Sequence, residues 1–268
     1  MHTRRDMVRL GAAALLGGLL GPVLVGEAPA EARRTGYPQP RRWGTAMPGI
    51  VTAFPARGRQ IALTFDACAG GYDRALIAVL RRHRIPAVLF LNAHWIDAHP
   101  RETRALARDP LFTIGNHGTR HVPLSVTGRS AYGIAGTASP AGAATEVSRN
   151  HTKIARLTGR APRWFRTGTA HYDDVAVRIV AEHGETPVGF TVNADAGGTE
   201  SVAGVEAKLR AARPGSIVLA HMNRPGSGTA AALAVILPRM RAAGWEFVSL
   251  DRVVGDRGPI PELGSSDG

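Results

Sequence analysis

Ile61-Ala62-Leu63-Thr64-Phe65, a helical pattern from about Arg74 to His83, and Ala87-Val88-Leu89-Phe90-Leu91 follow one another and set the rhythm of the chain. Both flanking runs are short and almost wholly apolar, as in strands covered on both faces. Strand, helix and strand in that order make a βαβ unit, and the sheet it starts is parallel. Outward from this unit, strands are expected at Phe112-Thr113-Ile114, Trp164-Phe165-Arg166, Val188 to Val192, Ser216 to Ala220 and Glu246 to Leu250. Helices are expected at roughly 142–158, 174–183, 202–212 and 229–243, with Pro238 kinking the last. About seven parallel strands alternating with helices predict an α/β fold, a (β/α) barrel more than an open sheet. Thr127 to Ala141, full of Gly, Ser and Ala, is too long for an ordinary connection and reads as a surface loop near the site.

The chain has 268 residues, 44% hydrophobic and 20% charged, which fits one globular domain with ends and excludes collagen, coiled coil and wholesale disorder. Its single Cys excludes a disulfide framework within the chain and a cysteine-only zinc site. Lys and Arg number 33 against 21 Asp and Glu, a net charge of +12, and only Lys153 and Lys208 are lysines. An anionic partner follows. The basic residues are scattered rather than clustered beside aromatics, so nucleic acid is not the expected partner. An acidic wall polymer or membrane surface fits the charge, and so does a plain arginine bias that aids solubility.

Thr3-Arg4-Arg5-Asp6-Met7-Val8-Arg9-Leu10 precedes an almost wholly apolar, Gly-rich run from Gly11 to Val25. Paired arginines before a short apolar stretch make a twin-arginine signal peptide, which implies export in the folded state. Ala30 and Ala32 suggest cleavage after Ala32; an uncleaved signal anchor is the alternative. On this reading 1–32 is the signal, 33–58 an arm or linker, 59–254 the domain and 255–268 a flexible tail. The domain then works outside the cytoplasm, in the periplasm, the cell wall or the medium. The mature chain has no stretch of about 20 apolar residues, so no transmembrane helix is expected there.

In a parallel β/α fold the chemistry gathers at the C-terminal ends of the strands. The expected strands run into Asp66, into Asn116-His117 with His121 four further on, into Arg166, into Asn193 and Asp195, and into His221. His117 and His121 have the spacing of two imidazoles on one metal. Asp66 is a candidate base or a loop cap, and Arg166 could pair with it and hold it ionised. His221 is a candidate general acid, tuned by Asp195 or Asn193. Asp73 is expected to cap the helix that follows it.

Thr64-Phe65-Asp66, His117-Gly118-Thr119-Arg120-His121, Arg166 to Tyr172, Asn193-Ala194-Asp195 and Leu219-Ala220-His221, in that order, resemble the motifs of the polysaccharide deacetylases, carbohydrate esterase family 4, with their NodB homology domain. The resemblance covers about residues 59–254. It implies a distorted (β/α) barrel that removes acetyl groups from sugars such as chitin, peptidoglycan or poly-N-acetylglucosamine with a divalent metal. Carried onto this chain, it makes Asp66 the general base toward a water on the metal, His117 and His121 metal ligands, and Arg166 the group that orients Asp66. Leu219 would wall the acetyl methyl pocket, and His221, with Asp195 beside it, would protonate the leaving amine. A backbone N–H near Thr169 would contact the oxyanion, and Tyr172 would face substrate.

The family's first motif usually reads Thr-Phe-Asp-Asp-Gly, its second Asp being the third metal ligand, whereas Ala67 and Cys68 stand in those places here. The third ligand is therefore open among Asp66, Cys68 and water; a thiolate would suit zinc, at about 2.3 Å. Gly118 replaces the usual hydroxyl residue of the His motif, for which Thr119 could substitute. Arg-x-Pro-Tyr-Gly has become Arg166-Thr167-Gly168-Thr169-Ala170, and the Trp of the fourth motif is absent. The expectation is an exported, monomeric, zinc-dependent deacetylase of a cell-wall or extracellular glycan. The alternatives are a relative that binds glycan without turnover and a hydrolase of small amides.

Overall fold

The computed structural model describes residues 36–255. Along the chain run β1 (Trp43–Gly44), β2 (Gln60–Ala67), α1 (Arg74–Arg82), β3 (Ala87–Leu91), α2 (Ala93–Ala98), α3 (Pro100–Ala107), β4 (Phe112–Asn116), α4 (Pro140–Thr158) and β5 (Trp164–Phe165). They are followed by β6 (Tyr172–Asp173), α5 (Asp174–Glu182), β7 (Thr186–Pro187), β8 (Val192–Asn193), α6 (Val202–Arg210), β9 (Ile217–His221), α7 (Gly228–Ala242), β10 (Glu246–Phe247) and α8 (Leu250–Val254). Seven parallel strands in the order β7-β5-β4-β3-β2-β9-β8 curl into a half-barrel, with β10 beside the start of β2. The expected signal peptide and the tail beyond Gly255 lie outside the described residues. Among the described residues no helix is long and apolar enough to cross a membrane.

The two-residue period of a strand sorts these side chains into two layers. Ile61, Leu63, Phe65 and Ala67 of β2 pack with Leu76, Leu80, Leu209, Leu233 and Leu237 under the helices. Ala62 of β2 faces the other way, into a cluster with Val88, Phe90, Trp164 and Ile217 inside the curl. The same alternation sends Thr64 and Asp66 inward, and β9 sends Leu219 and His221 inward beside them in register. Polar chemistry therefore sits at the top of an otherwise apolar lumen.

One expected strand is corrected. Val188 to Val192 is not one strand: only Val192 enters β8, β7 and β8 lie on opposite edges of the sheet, and the chain between them crosses from one edge to the other. The Val188 N–H donates to the Phe165 carbonyl (2.8 Å) and the Thr191 N–H to that of Ile217 (3.0 Å), so this segment draws the two edges together as a seam. Gly189 allows the arm to lie against it, because a Cβ there would meet Thr52 Cγ2 at 2.8 Å. The arm wraps rather than trails: β1 pairs with β6, and Ile50 and Phe54 are buried.

Helices α2 and α3 are not expected from the period, since each is short and His99 interrupts them. Their caps are legible in retrospect: Asn92 accepts the His94 N–H, and Pro100 opens α3. Asp73 accepts the Leu76 N–H at 3.0 Å and caps α1.

Candidate active site and metal centre

Arg166, fully buried, organises the lumen end of the site. Its Nη1 donates to Asp66 Oδ1 and to Thr64 Oγ1, both at 2.8 Å. Nη2 and Nε donate to the Gly189 (2.9 Å) and Val188 (3.2 Å) carbonyls of the seam, and the guanidinium lies 4.3 Å from the Phe90 ring centroid. Phe90 has room for that because Gly115 is its neighbour in register; a Cβ there would lie 2.6 Å from the ring. Burial alone would raise the Asp66 carboxyl, but the Arg166 guanidinium, which also donates a hydrogen bond to it, holds it below the usual carboxylate range. Asp66 is thus ionised at neutral pH with Oδ1 committed and Oδ2 turned toward His117 Nε2, 3.7 Å away.

The loop after β4 delivers the two histidines. His117 Nδ1–H donates to the Arg166 carbonyl at 2.8 Å, which leaves the Nε2 lone pair facing the site. Cys68 Sγ lies 3.6 Å from that Nε2, and ligand atoms of Cys68, His117 and His121 all lie within 4.8 Å of one another. Burial lowers the pKa of His117 despite the pull of Asp66, and burial lowers that of His121 to about 3. Both rings are therefore neutral, the form that ligates. With His117 neutral, its approach to Asp66 is not an ion pair. Burial, then Asp66, pushes the Cys68 thiol up.

His121 Nε2 is buried and finds no hydrogen-bond partner in the described structure. An orphaned imidazole nitrogen beside a thiol and a second bare imidazole is what a soft or borderline divalent cation would satisfy, so this donor set fits a metal.

Three residues that the sequence reading did not single out, Glu146, Asn92 and Asn150, help to hold the loop in place. Glu146 of α4 is buried, and its Oε1 accepts the N–H groups of Thr119 (2.9 Å), Arg120 (2.8 Å) and His121 (3.1 Å). Gly118, at φ +75°, leaves room for this carboxylate, since a Cβ would lie 2.7 Å from Oε1. The hydroxyl missing at Gly118 reappears at Thr119, whose Oγ1 donates to the Glu146 carbonyl oxygen at 2.8 Å. Asn92 donates to the His117 and Gly118 carbonyls, while Asn116 accepts the Gly118 N–H and an Asn150 amide hydrogen. The available signal is Glu146 and Asn150 standing among Ala143, Val147 and Ile154 on the buried stripe of α4.

The third-motif loop packs on His121 from the other side. A Cβ on Gly168 would lie 2.5 Å from the His121 carbonyl carbon and 2.6 Å from its Cα. Gly168→Ala should therefore cost about 1–3 kcal/mol by overpacking, read as a lower melting temperature. Thr169 sits at the margin of burial and Leu219 is buried on the inward face of β9. Tyr172 is a correction: it is fully buried, and its hydroxyl accepts the Thr167 N–H (2.9 Å), so it props the loop and does not face a sugar.

His221 is gripped by Asp195. Its Nδ1–H donates to Oδ1 (2.8 Å) and its backbone N–H to Oδ2 (2.7 Å), an oxygen that also accepts from Thr229 Oγ1 (2.9 Å). Burial opposes charge on this ring, but the Asp195 hydrogen bond, backed by Asp66, raises its pKa above the ordinary imidazole value. Asn193 does not join this pair; its side chain accepts the Ala196 N–H.

A half-barrel with an Arg-held carboxylate, a His-x-x-x-His loop and an Asp-held histidine at its strand ends defines the class, and sequence comparison agrees. The chain belongs to the polysaccharide deacetylase family, whose profile matches residues 55–188. It is 27% identical over 213 residues to a chitooligosaccharide deacetylase of Rhizobium leguminosarum bv. trifolii, covering 72% of this chain and 90% of that one. To the Bacillus subtilis (strain 168) protein YlxY it is 23% identical over 124 residues, 46% of this chain, and it spans only 34% of that protein's length. In fold it is similar to a carbohydrate esterase family 4 pseudoenzyme from Bacillus anthracis, with a TM-score of 0.67 at 20% identity, over 78% of this chain and 70% of that one.

Proposed function

We propose that this chain is an exported, zinc-dependent deacetylase of an N-acetylated cell-wall glycan. The observation that carries the reading is the meeting, at one end of the lumen, of a carboxylate held ionised by Arg166 with a Cys68/His117/His121 donor set whose His121 Nε2 has no other partner. The Rhizobium relative supports an acetylated amino sugar as substrate. The net charge of +12 suits an acidic wall polymer, and the twin-arginine pattern at Arg4-Arg5 suits export.

Bound there, a divalent cation supplies Lewis acidity toward a water and the acyl oxygen. The protein's own groups do the rest. Asp66 Oδ2, the free oxygen of the carboxylate, takes a proton from the attacking water. Leu219 walls the methyl group, and the Thr169 loop offers a backbone N–H to the developing oxyanion. His221, its Nδ1 fixed by Asp195, gives the Nε2 proton to the amine nitrogen as the C–N bond breaks and acetate departs.

Acetate release from chitooligosaccharides and peptidoglycan, with zinc measured on the same sample, tests this reading. Release that follows zinc content and disappears in His117→Ala is the expected result. Metal-replete protein that releases no acetate from either substrate sinks it. Ala67, where the family carries an Asp, favours a second reading of glycan binding without turnover; binding that survives Asp66→Asn in a protein with no hydrolysis would select it.

The raised pKa of His221 sets the alkaline limb of the rate profile. Activity needs the protonated ring, so it persists above the ordinary imidazole value and falls as pH passes the raised one. Asp195→Asn removes the main source of that rise. The alkaline limb of kcat/KM should move to lower pH in this variant; an unmoved limb would take the acid role from His221.

A further inference from the structure

We propose that Tyr132, His171 and Trp43 form a stacking platform for a pyranose ring of a glycan chain, a binding subsite beside the catalytic loop. The ligand class rests on the function proposed above; the surface itself rests on three observations. Tyr132 is 80% exposed, while the other exposed large apolar side chains among the described residues, Ile134, Val202 and Val235, reach only 37–39%. Its ring stands edge-on to His171, centroids 5.2 Å apart at 87°, and His171 lies 5.8 Å from Trp43, whose other neighbour is the Arg129 guanidinium at 5.0 Å. A row of rings therefore leads from the half-buried Trp43 and His171 to one open aromatic face.

The backbone under Tyr132 argues most directly for a ligand. Ala131 and Ile134 exchange N–H···O bonds of 3.1 and 2.9 Å, so Tyr132 and Gly133 are the two central residues of a tight hairpin turn. Both have positive φ, +52° and +75°, the signature of a type I′ turn. The first central position favours Asn, Asp or Gly, and a bulky ring held there is strained. A turn that keeps Tyr against its own preference, in water, holds it for something outside the fold.

The platform is continuous with the site. His171 Nδ1–H donates to the Thr169 carbonyl at 2.8 Å, and the Gly168 that precedes Thr169 packs on His121. Trp43 is held by β1 against β6, which begins at Tyr172. A sugar stacked on Tyr132 and a sugar at the catalytic loop can therefore belong to one chain. The axial C–H groups of a pyranose carry partial positive charge and suit the negative face of an aromatic ring.

The test uses metal-free full-length mature protein and tetra-N-acetylchitotetraose, with binding followed by calorimetry and stability by thermal melting. Tyr132→Asn suits the turn and removes the ring, so its melting temperature should hold or rise while affinity falls roughly tenfold or more. Tyr132→Leu should lose affinity likewise, and Tyr132→Phe should keep it. Wild-type affinity in the Asn or Leu variant overturns the proposal, as does wild-type protein that does not bind the tetramer. Acetate release by the zinc-loaded wild type is read separately: ring-dependent binding without release leaves the platform standing and removes the deacetylase reading, and release with ring-independent binding does the reverse.

Discussion

Asp66→Asn should lower kcat for acetate release by about 10²- to 10⁴-fold, the usual contribution of a positioned general base. The amide keeps the shape of the side chain and loses both the proton acceptor and the charge. The second loss reaches further. Arg166 is fully buried, and Asp66 is the only carboxylate paired with it among the described residues. Leaving such a cation unpaired costs about 3–5 kcal/mol, so the variant should also melt at a lower temperature. The two effects separate in Asp66→Asn combined with Arg166→Met, where no uncompensated charge remains: stability should recover in part and activity should not. A single variant that retains near wild-type kcat would remove Asp66 from the chemistry.

Cys68→Ala should weaken zinc binding by more than about a hundredfold, beyond what loss of a group supporting a ligand costs. Asp66 is the competing third ligand, but its Oδ1 is held by Arg166 at 2.8 Å and its Oδ2 is the oxygen assigned to take the proton. Sulfur has no such commitment, and it lies within 4.8 Å of both imidazoles. Cobalt(II) gives the direct readout. The wild-type complex should show the near-ultraviolet thiolate charge-transfer band, and Cys68→Ala should lack it. Cobalt bound tightly without that band in the wild type would hand the ligand role back to Asp66 or to water. Cys68→Asp should bind more weakly than wild type to zinc while favouring harder cations, since a carboxylate oxygen replaces a soft donor.

The central strands were legible because each is a buried run with no competing period. β2, β3, β4 and β9 lie where the apolar runs lie. The closeness of Asp66 to Arg166, and of His221 to Asp195, was legible for the same reason: each follows such a run, and parallel strands bring their ends to one layer. What escaped depends on contacts that no local pattern encodes. The segment Val188 to Val192 is apolar enough for a strand, yet it bonds to β5 at Val188 and to β9, on the other side of the sheet, at Thr191. Glu146 looks like an ordinary helix residue until the loop it holds is folded onto it. Tyr172 belongs to the motif in sequence, but its side chain is fully buried and its backbone is paired with β1 and bridged to Leu124.

The seam between β7 and β8 gives the molecule an internal gauge of its own integrity. Arg166 holds the carbonyls of Val188 and Gly189 with the same guanidinium that holds Asp66, so breathing of the seam and loosening of the carboxylate are one motion. The Gly189 and Thr191 amides, bonded to Val51 and Ile217, are the hydrogens that exchange when it opens. Their exchange rates with solvent deuterium therefore report how firmly the base is held, in the resting protein and without any substrate.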